Sequence, residues 1–275
     1  MAGENGTMLI SPSISDGKVD DALREWPPLF DAHLHIIDPQ FPLTANHGYL
    51  PPTFTVQDYR SRTKHLNVVG GAVVSGSFQG FDQTYLLDAL NRLGPGFVGV
   101  TQLPASATTG QIESLTSAGV RAVRFNLFRG GGETLDHLTD LARRVHEIAG
   151  WHTELYLDAR DLPDLEPTLT ALPHVSIDHL GLSRRGFPAL LRLAEHGAYV
   201  KATGFSRGDL DVPSALRDLA HANPSTLVAG TDLPSTRAPR PFQDADLDLI
   251  INTLGEHLTA GALRDNACTL YRVAS

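Results

Sequence analysis

Eight short apolar runs recur along the chain, and a stretch long enough for a helix follows each of them. Most runs are continuously apolar rather than alternating, which is typical of parallel strands covered on both faces. Eight such units after residue 28 predict a closed (β/α)8 barrel, also called a TIM barrel. A doubly wound open sheet is the alternative, because alternation of strands and helices does not establish closure. The runs cover residues 29–36, 68–74, 97–103, 120–125, 153–157, 175–180, 198–202 and 226–229.

The domain organisation follows from the position of the first run. We expect one catalytic barrel domain over residues 29–275 and a short N-terminal arm at residues 1–28. Gly, Ser and Asp are frequent in the arm, and Pro27 and Pro28 close it. No repeat or linker indicates a second domain.

Charge and cysteine content narrow the class of partner. The chain has 22 Lys and Arg against 31 Asp and Glu, a net charge of −9, and so lacks the basic surface of proteins that bind nucleic acid or anionic membranes. One cysteine, Cys268, excludes an internal disulfide and multi-cysteine metal sites. The N-terminus has no secretory-signal pattern, and no apolar run is long enough to cross a membrane. We therefore expect a cytoplasmic protein with a small-molecule substrate; the pattern carries no information on oligomeric state.

Two histidines, His33 and His35, end the first run. Residues two apart in a strand point to the same face, so both side chains should project toward the barrel axis. The carboxyl ends of barrel strands are where such enzymes carry their chemistry. Two imidazoles placed there can bind one metal ion or polarise one carbonyl group. Two histidines satisfied by backbone partners are the structural alternative.

Two further strand ends carry groups that complement the histidine pair. Asp232 follows the last run in the segment GTDLP and is a natural general base for a water molecule. His179 follows the sixth run in the segment IDHLG. The competing structural interpretations are a turn or helix-capping aspartate and a core histidine.

Arginines follow two of the runs and indicate the charge of the substrate. Arg124 ends the fourth run, Arg129 lies just beyond it, and Arg207 follows the seventh. Guanidinium groups bind carboxylates in a bidentate manner, so arginines at a barrel mouth predict a small anionic organic substrate.

Two familiar sequence motifs do not apply to this chain. Residues 94–99 fit GxGxxG, but they precede a strand, whereas the dinucleotide-binding motif follows one. The sequence does not contain the HExxH of zinc proteases.

Six motifs occur in a familiar order between residues 29 and 272. They are FDAHLH at 30–35, Gly48-Tyr49, VRFN at 123–126, IDHLG at 177–181, GTDLP at 230–234 and DNACTLY at 265–271. Together they resemble the amidohydrolase superfamily, of amidohydrolase-2 type. The similarity is to the branch that contains 2-pyrone-4,6-dicarboxylate hydrolases and related lactonases.

The resemblance implies a (β/α)8 barrel that opens a lactone ring with water, with a carboxylated lactone favoured by the arginines. Asp232 would take the proton from the water, and His33, His35 and His179 would polarise the lactone carbonyl. The positions that match the substrate-binding residues of the branch are Tyr49, Ser75, Ser77, Arg124, Arg129, Tyr156 and Arg207.

The resemblance leaves two interpretations of metal use. A binuclear centre requires a bridging lysine or carboxylate at the fourth strand and a histidine at the fifth, where this chain has Arg124 and Tyr156. One divalent ion, zinc or manganese, held by His33, His35 and Asp232 is chemically reasonable. We favour a site with no obligatory metal. The alternative functions are a zinc-dependent non-oxidative decarboxylase of the same superfamily and a catalytically silent barrel that binds a carboxylated ligand.

Overall fold

A computed structural model of the protein describes residues 25–274. Most of the predicted N-terminal arm, residues 1–28, therefore lies outside the described residues, and the boundary between arm and barrel stays a prediction. No helix in the described part of the chain is both long and apolar enough to span a membrane.

Eight strands form one parallel sheet in which each strand lies beside its neighbours in sequence. Each begins within one residue of a predicted apolar run, so the predicted number of strands is confirmed. The strands are β1 Leu29–Leu34, β2 Val68–Val74, β3 Phe97–Thr101, β4 Val120–Asn126, β5 His152–Tyr156, β6 Val175–Ile177, β7 Tyr199–Ala202 and β8 Leu227–Ala229.

The sheet closes where the end of β8 meets the end of β1. The backbone N–H of Asp232 donates to the carbonyl of His33 at 2.7 Å, and the N–H of His35 donates to the carbonyl of Leu233 at 2.8 Å. A Cβ atom at Gly230 would lie 2.7 Å from the backbone nitrogen of His33, so this close approach requires glycine. The barrel is confirmed, and the open doubly wound sheet is excluded.

Helices form the outer layer of the barrel. Threonine capping boxes begin α1 and α3, at Thr55 and Thr108. A π-helical turn, Gly261–Asp265, joins the last two helices. The helices are α1 Val56–Thr63, α2 Thr84–Leu93, α3 Thr109–Ser117, α4 Leu138–Ala149, α5 Leu162–Thr170, α6 Phe187–Glu195, α7 Val212–Ala222, α8 Asp244–Leu254, α9 Glu256–Ala260 and α10 Asn266–Tyr271.

Apolar side chains fill the space between strands and helices and also the amino-terminal half of the barrel interior. Phe30 stacks on Tyr271 of α10, with ring centroids 5.4 Å apart, among small residues such as Ala32 and Ala72. This packing closes one end of the barrel. The opposite, carboxyl-terminal end holds the polar residues that the sequence analysis singled out.

Candidate active site

A β-bulge in β1 turns the two histidines into the barrel. Asp31 pairs with Gly71 of β2 and Leu34 pairs with Val73, so β1 has one extra residue in this stretch. A bulge reverses the alternation of side chains beyond it. The rings of His33 and His35 consequently meet, with centroids 4.9 Å apart and planes 87° apart, and both residues are buried.

Asp232 faces the two histidines from the end of β8. Its backbone has φ +59°, a left-handed conformation that few residues other than glycine adopt. Its Oδ1 lies 3.9 Å from Nε2 of His33 and 3.9 Å from Nε2 of His35. Oδ2 accepts from Nε of Arg207 at 2.7 Å, whereas Oδ1 is buried without a hydrogen-bond partner in the described part of the chain.

His179 completes the cluster from the turn after β6. Its ring centroid lies 4.9 Å from that of His33 and 5.0 Å from that of Tyr156. Its Nδ1 lies 2.8 Å from the Thr203 hydroxyl oxygen. The tertiary structure thus brings the four residues predicted as catalytic into one group.

Burial favours the neutral form of all three imidazoles. Burial lowers the pKa of each ring, because a charged imidazolium loses its hydration there. The nearby guanidinium of Arg207 lowers the pKa of His179 further, and that of Arg124 does the same for His35. A neutral imidazole has one N–H donor and one acceptor nitrogen, so the cluster can polarise a carbonyl oxygen without carrying charge.

We expect the free energy of unfolding to fall between pH 7.5 and pH 5.5. The unfolded chain takes up a proton at each of these histidines near pH 6.5, and the lowered pKa of the folded state opposes that uptake, so each lowers stability by at most about 1.4 kcal/mol in total between the two pH values. His152, whose pKa is also lowered by burial, acts in the same direction. Asp31 opposes them, because burial raises its pKa to about 6. Urea denaturation at the two pH values measures the difference; equal stability would contradict the neutral cluster.

A small pocket, open to solvent, lies directly above the cluster. Four arginines face it in a chain whose net charge is −9, so positive charge is concentrated at this one opening. The side chains that line it are those of His35, Tyr49, Ser77, Phe78, Arg124, Asn126, Arg129, Tyr156, His179, Arg207, Thr236 and Arg237, with Gly76.

Two of these arginines are held by the protein itself. Arg207 binds Asp232 and donates to the carbonyl of Thr236 at 3.0 Å. Arg124 binds Asp178, with 2.7 Å between Nη2 and Oδ2, and donates to the carbonyl of Ser75 at 2.7 Å. Both therefore contribute charge to the pocket floor, while much of their hydrogen-bonding capacity is used within the barrel.

The other two arginines have no carboxylate partner, although Arg237 donates to Oδ1 of Asn46 at 3.0 Å and to the backbone carbonyl of the same residue. The guanidinium carbon of Arg129 lies 4.8 Å from the ring centroid of Phe128, and that of Arg237 lies 4.3 Å from the ring centroid of Tyr49. Among residues 25–274, no carboxylate forms an ion pair with either. The sequence analysis did not single out Arg237; its only signal is its position five residues after Asp232.

The prediction that Ser75 binds substrate disagrees with its position. Ser75 is fully buried and does not line the pocket. Its hydroxyl lies 2.6 Å from the Tyr85 hydroxyl, and its carbonyl accepts from Arg124. Ser75 directly follows β2, and its carbonyl supports the guanidinium of Arg124. Ser77, two residues later, lines the pocket.

Sequence reasoning missed three charged residues beneath the cluster. Glu154, Asp178 and Lys201 are all fully buried. Asp178 lies between His33, with 3.4 Å between Oδ1 and Nδ1, and Arg124. The sequence does contain a signal for these residues. Glu154 and Lys201 are charged residues inside apolar runs, and Asp178 directly precedes His179.

The cluster also offers donors that suit one divalent metal ion. Ligand atoms of His33, His35 and Asp232 all lie within 4.8 Å of one another, as do those of His33, Asp178 and His179. Nε2 of His33 and Oδ1 of Asp232 are both buried with no hydrogen-bond partner among the described residues. Nitrogen and carboxylate donors are those that zinc and manganese accept, so the first group fits one such ion.

Comparisons with known proteins agree with this architecture. The sequence model of the family described as Amidohydrolase matches residues 30–273. The chain is 33% identical to a 2-pyrone-4,6-dicarboxylate hydrolase of Comamonas testosteroni, in an alignment of 156 positions that covers 55% of this chain and about half, 51%, of that protein. It is 28% identical to a 4-sulfomuconolactone hydrolase of Rhizobium radiobacter, with 89% of this chain and 90% of the relative covered.

The fold itself recurs in a solved apo structure from Agrobacterium tumefaciens. The TM-score is 0.80 at 24% identity, and the superposition covers 91% of this chain and 98% of the other. At this identity the likeness concerns the barrel alone.

Proposed function

This chain belongs to the amidohydrolase family, and on that premise we propose that it hydrolyses a carboxylated lactone of the pyrone-dicarboxylate kind. One observation supports the proposal most strongly. A buried carboxylate oxygen without a partner, Oδ1 of Asp232, lies beside neutral histidines and beneath an arginine-lined pocket. Such a site has a base for water, donors for a carbonyl oxygen and positive charge for an anionic substituent.

Asp232 is the base in this proposal. Arg207 holds Oδ2 and thereby orients the carboxylate, so Oδ1 is the oxygen that accepts a proton from water. The water oxygen forms a bond to the lactone carbonyl carbon, and the bond from that carbon to the ring oxygen breaks. The ring oxygen leaves with the proton that Asp232 took from the water, and a hydroxy acid results, which in the case of a pyrone is an enol.

The histidines act on the carbonyl oxygen. Charge develops on that oxygen when water adds, and fixed N–H donors in a buried site stabilise such charge strongly. Thr203 orients the ring of His179, and the carbonyl of Val74, 2.7 Å from Nδ1, orients the ring of His35. Because that carbonyl only accepts, a neutral His35 presents the lone pair of Nε2 to the pocket, so the donors to the carbonyl oxygen in this proposal are His33 and His179. If a divalent ion is bound by His33, His35 and Asp232, it supplies Lewis-acid polarisation of the same carbonyl.

Arg129 and Arg237 bind the anionic substituents in this proposal. Both line the pocket and lack ion-pair partners in the described structure. Tyr49 and Ser77 add hydroxyl groups at the same wall. The two relatives are named as hydrolases of a pyrone dicarboxylate and of a sulfomuconolactone. Both names describe acidic lactones, and this supports the assignment.

We expect Arg129→Met to lower kcat/KM for a carboxylated lactone by roughly 10- to 150-fold, the equivalent of about 1.5–3 kcal/mol for a hydrogen bond to a charged group. Methionine retains bulk but lacks the guanidinium fork. The methyl ester of the same lactone should lose little, because it has no charge for Arg129 to bind. Hydrolysis of the acid and the ester is followed by release of the hydroxy acid.

Arg143→Met provides the matched control, since Arg143 lies exposed on α4, away from the pocket. Equal losses on acid and ester would refute the role of Arg129 in charge recognition. Release of carbon dioxide in place of a hydroxy acid would instead favour the decarboxylase. Binding of the acid without turnover of any lactone would favour the silent barrel.

A further inference from the structure

A fully buried lysine, Lys201 on β7, lies directly beneath the histidine cluster and has no part in the proposed reaction. Its Nζ lies 2.5 Å from Oε2 of Glu154, 3.5 Å from Oδ1 of Asp178 and 3.3 Å from Nδ1 of His33. Two of these contacts, with Glu154 and His33, are hydrogen bonds, and the third, with Asp178, is an ion pair. Two carboxylates already compensate its charge, so charge balance does not explain the contact with His33.

The contact with Lys201 determines which nitrogen of His33 carries the proton. An ammonium group only donates, so the ring nitrogen that faces it must accept. Nδ1 of His33 is therefore unprotonated, and the neutral ring has its proton on Nε2, the atom 3.9 Å from Oδ1 of Asp232. His35 has the opposite tautomer. Its Nδ1 faces the carbonyl of Val74, which only accepts, so Nδ1 carries the proton and Nε2 is the acceptor. The two histidines thus present one donor and one acceptor to the pocket floor.

A second acceptor for His33 lies within reach. Oδ1 of Asp178 is 3.4 Å from Nδ1 of His33, slightly farther than Nζ of Lys201. Without the lysine, Nδ1 would donate to this carboxylate and the lone pair of Nε2 would face the pocket. A carboxylate behind a histidine is the arrangement that orients metal-bound histidines. Lys201 prevents this arrangement at His33.

We propose that Lys201 is a positioning residue that fixes His33 as a hydrogen-bond donor at Nε2, and thereby favours a carbonyl oxygen over a divalent metal ion at that atom. The part that concerns the carbonyl rests on the proposed lactone hydrolysis. The parts that concern the tautomer and the metal do not depend on it.

The test replaces Lys201 with methionine and observes His33 directly. Nitrogen-15 NMR of histidine-labelled protein, with His33 assigned by its loss in a His33 variant, should show Nε2–H in the unsubstituted protein and Nδ1–H in Lys201→Met. Zinc affinity, measured by competition with a chromogenic chelator, should rise by about 10- to 100-fold, the usual effect of a carboxylate behind a metal-bound histidine. Turnover of a lactone substrate should fall by about 10²-fold, the lower range for loss of one stabilising donor.

A second variant covers the case in which the single substitution prevents folding. Lys201→Met leaves the carboxylate of Glu154 buried without its partner, which destabilises a fold strongly. The double variant Lys201→Met/Glu154→Gln removes both charges and should give the same tautomer and zinc response. Lys64→Met is the matched control, since Lys64 is exposed at the end of α1, and it should change nothing.

The outcomes separate this inference from the proposed function. An unsubstituted protein with Nδ1–H on His33 would overturn the role of Lys201, as would a double variant with unchanged tautomer and zinc affinity. The expected tautomer and zinc response in a protein that opens no lactone would refute the proposed function and retain the role of Lys201.

Discussion

Asp232→Asn should lower kcat for lactone hydrolysis by at least about 10²-fold, because general-base catalysis contributes about 10²–10⁴-fold. Asparagine has nearly the shape of aspartate, and its amide oxygen can still accept from Arg207. The amide cannot take a proton from water, however, and its NH2 group would occupy the position of the free Oδ1 or the position that faces Arg207. The loss should therefore fall on kcat, with a smaller change in KM.

Steady-state kinetics with a carboxylated lactone measures this loss, and thermal unfolding checks that the barrel is intact. Asp218→Asn is the matched control, since Asp218 is exposed on α7, remote from the pocket. Turnover within a few-fold of the unsubstituted protein would show that another group activates the water.

The second large effect is expected at His33, where phenylalanine should lower kcat by about 10²–10³-fold. Phenylalanine keeps a ring in the barrel but removes the Nε2 donor that lies 3.9 Å from Asp232. It also removes the acceptor for Lys201, which retains Glu154 and Asp178 as partners. The loss should persist across neutral pH, because burial lowers the pKa of His33 and the ring is already neutral there.

His174→Phe makes the same chemical change outside the site. His174 directly precedes β6, at the amino-terminal end of the barrel, where its ring packs on His146 at 5.6 Å. Its kcat should be unchanged. If His33→Phe also turned over at the unsubstituted rate, His33 would have no role in polarising the carbonyl.

Much of the fold was predictable because its signal is local. Parallel strands covered on both faces must be apolar along their length, so eight strands were visible as eight apolar runs. The segments around His33, His179 and Asp232 were predictable for a related reason. Polar residues that interrupt or end such runs lie at one edge of a parallel sheet, and the order of the motifs indicated the amidohydrolase family that the match over residues 30–273 shows.

The positions of Ser75, Arg124 and Arg237 were not predictable in this way. Ser75 and Ser77 differ by two residues, yet one pairs with Tyr85 behind the barrel wall and the other lines the pocket. Arg124 ends a strand as predicted, but Asp178 holds its guanidinium, from a strand two positions along the sheet. Arg237 lies in a loop whose path depends on contacts with Asn46, 191 residues earlier.

The sequence by itself therefore determined the number of strands, their order along the chain, the family and the residues that meet in the cluster. Each of these depends on residue type and spacing within a short segment. Only the tertiary structure decided barrel closure between Asp232 and His33, the bulge that turns both histidines inward, and the contact that assigns the proton of His33. The first and the last of these depend on hydrogen bonds of 2.7–3.3 Å between residues 168 to 199 positions apart, and such bonds are set by how the strands pack.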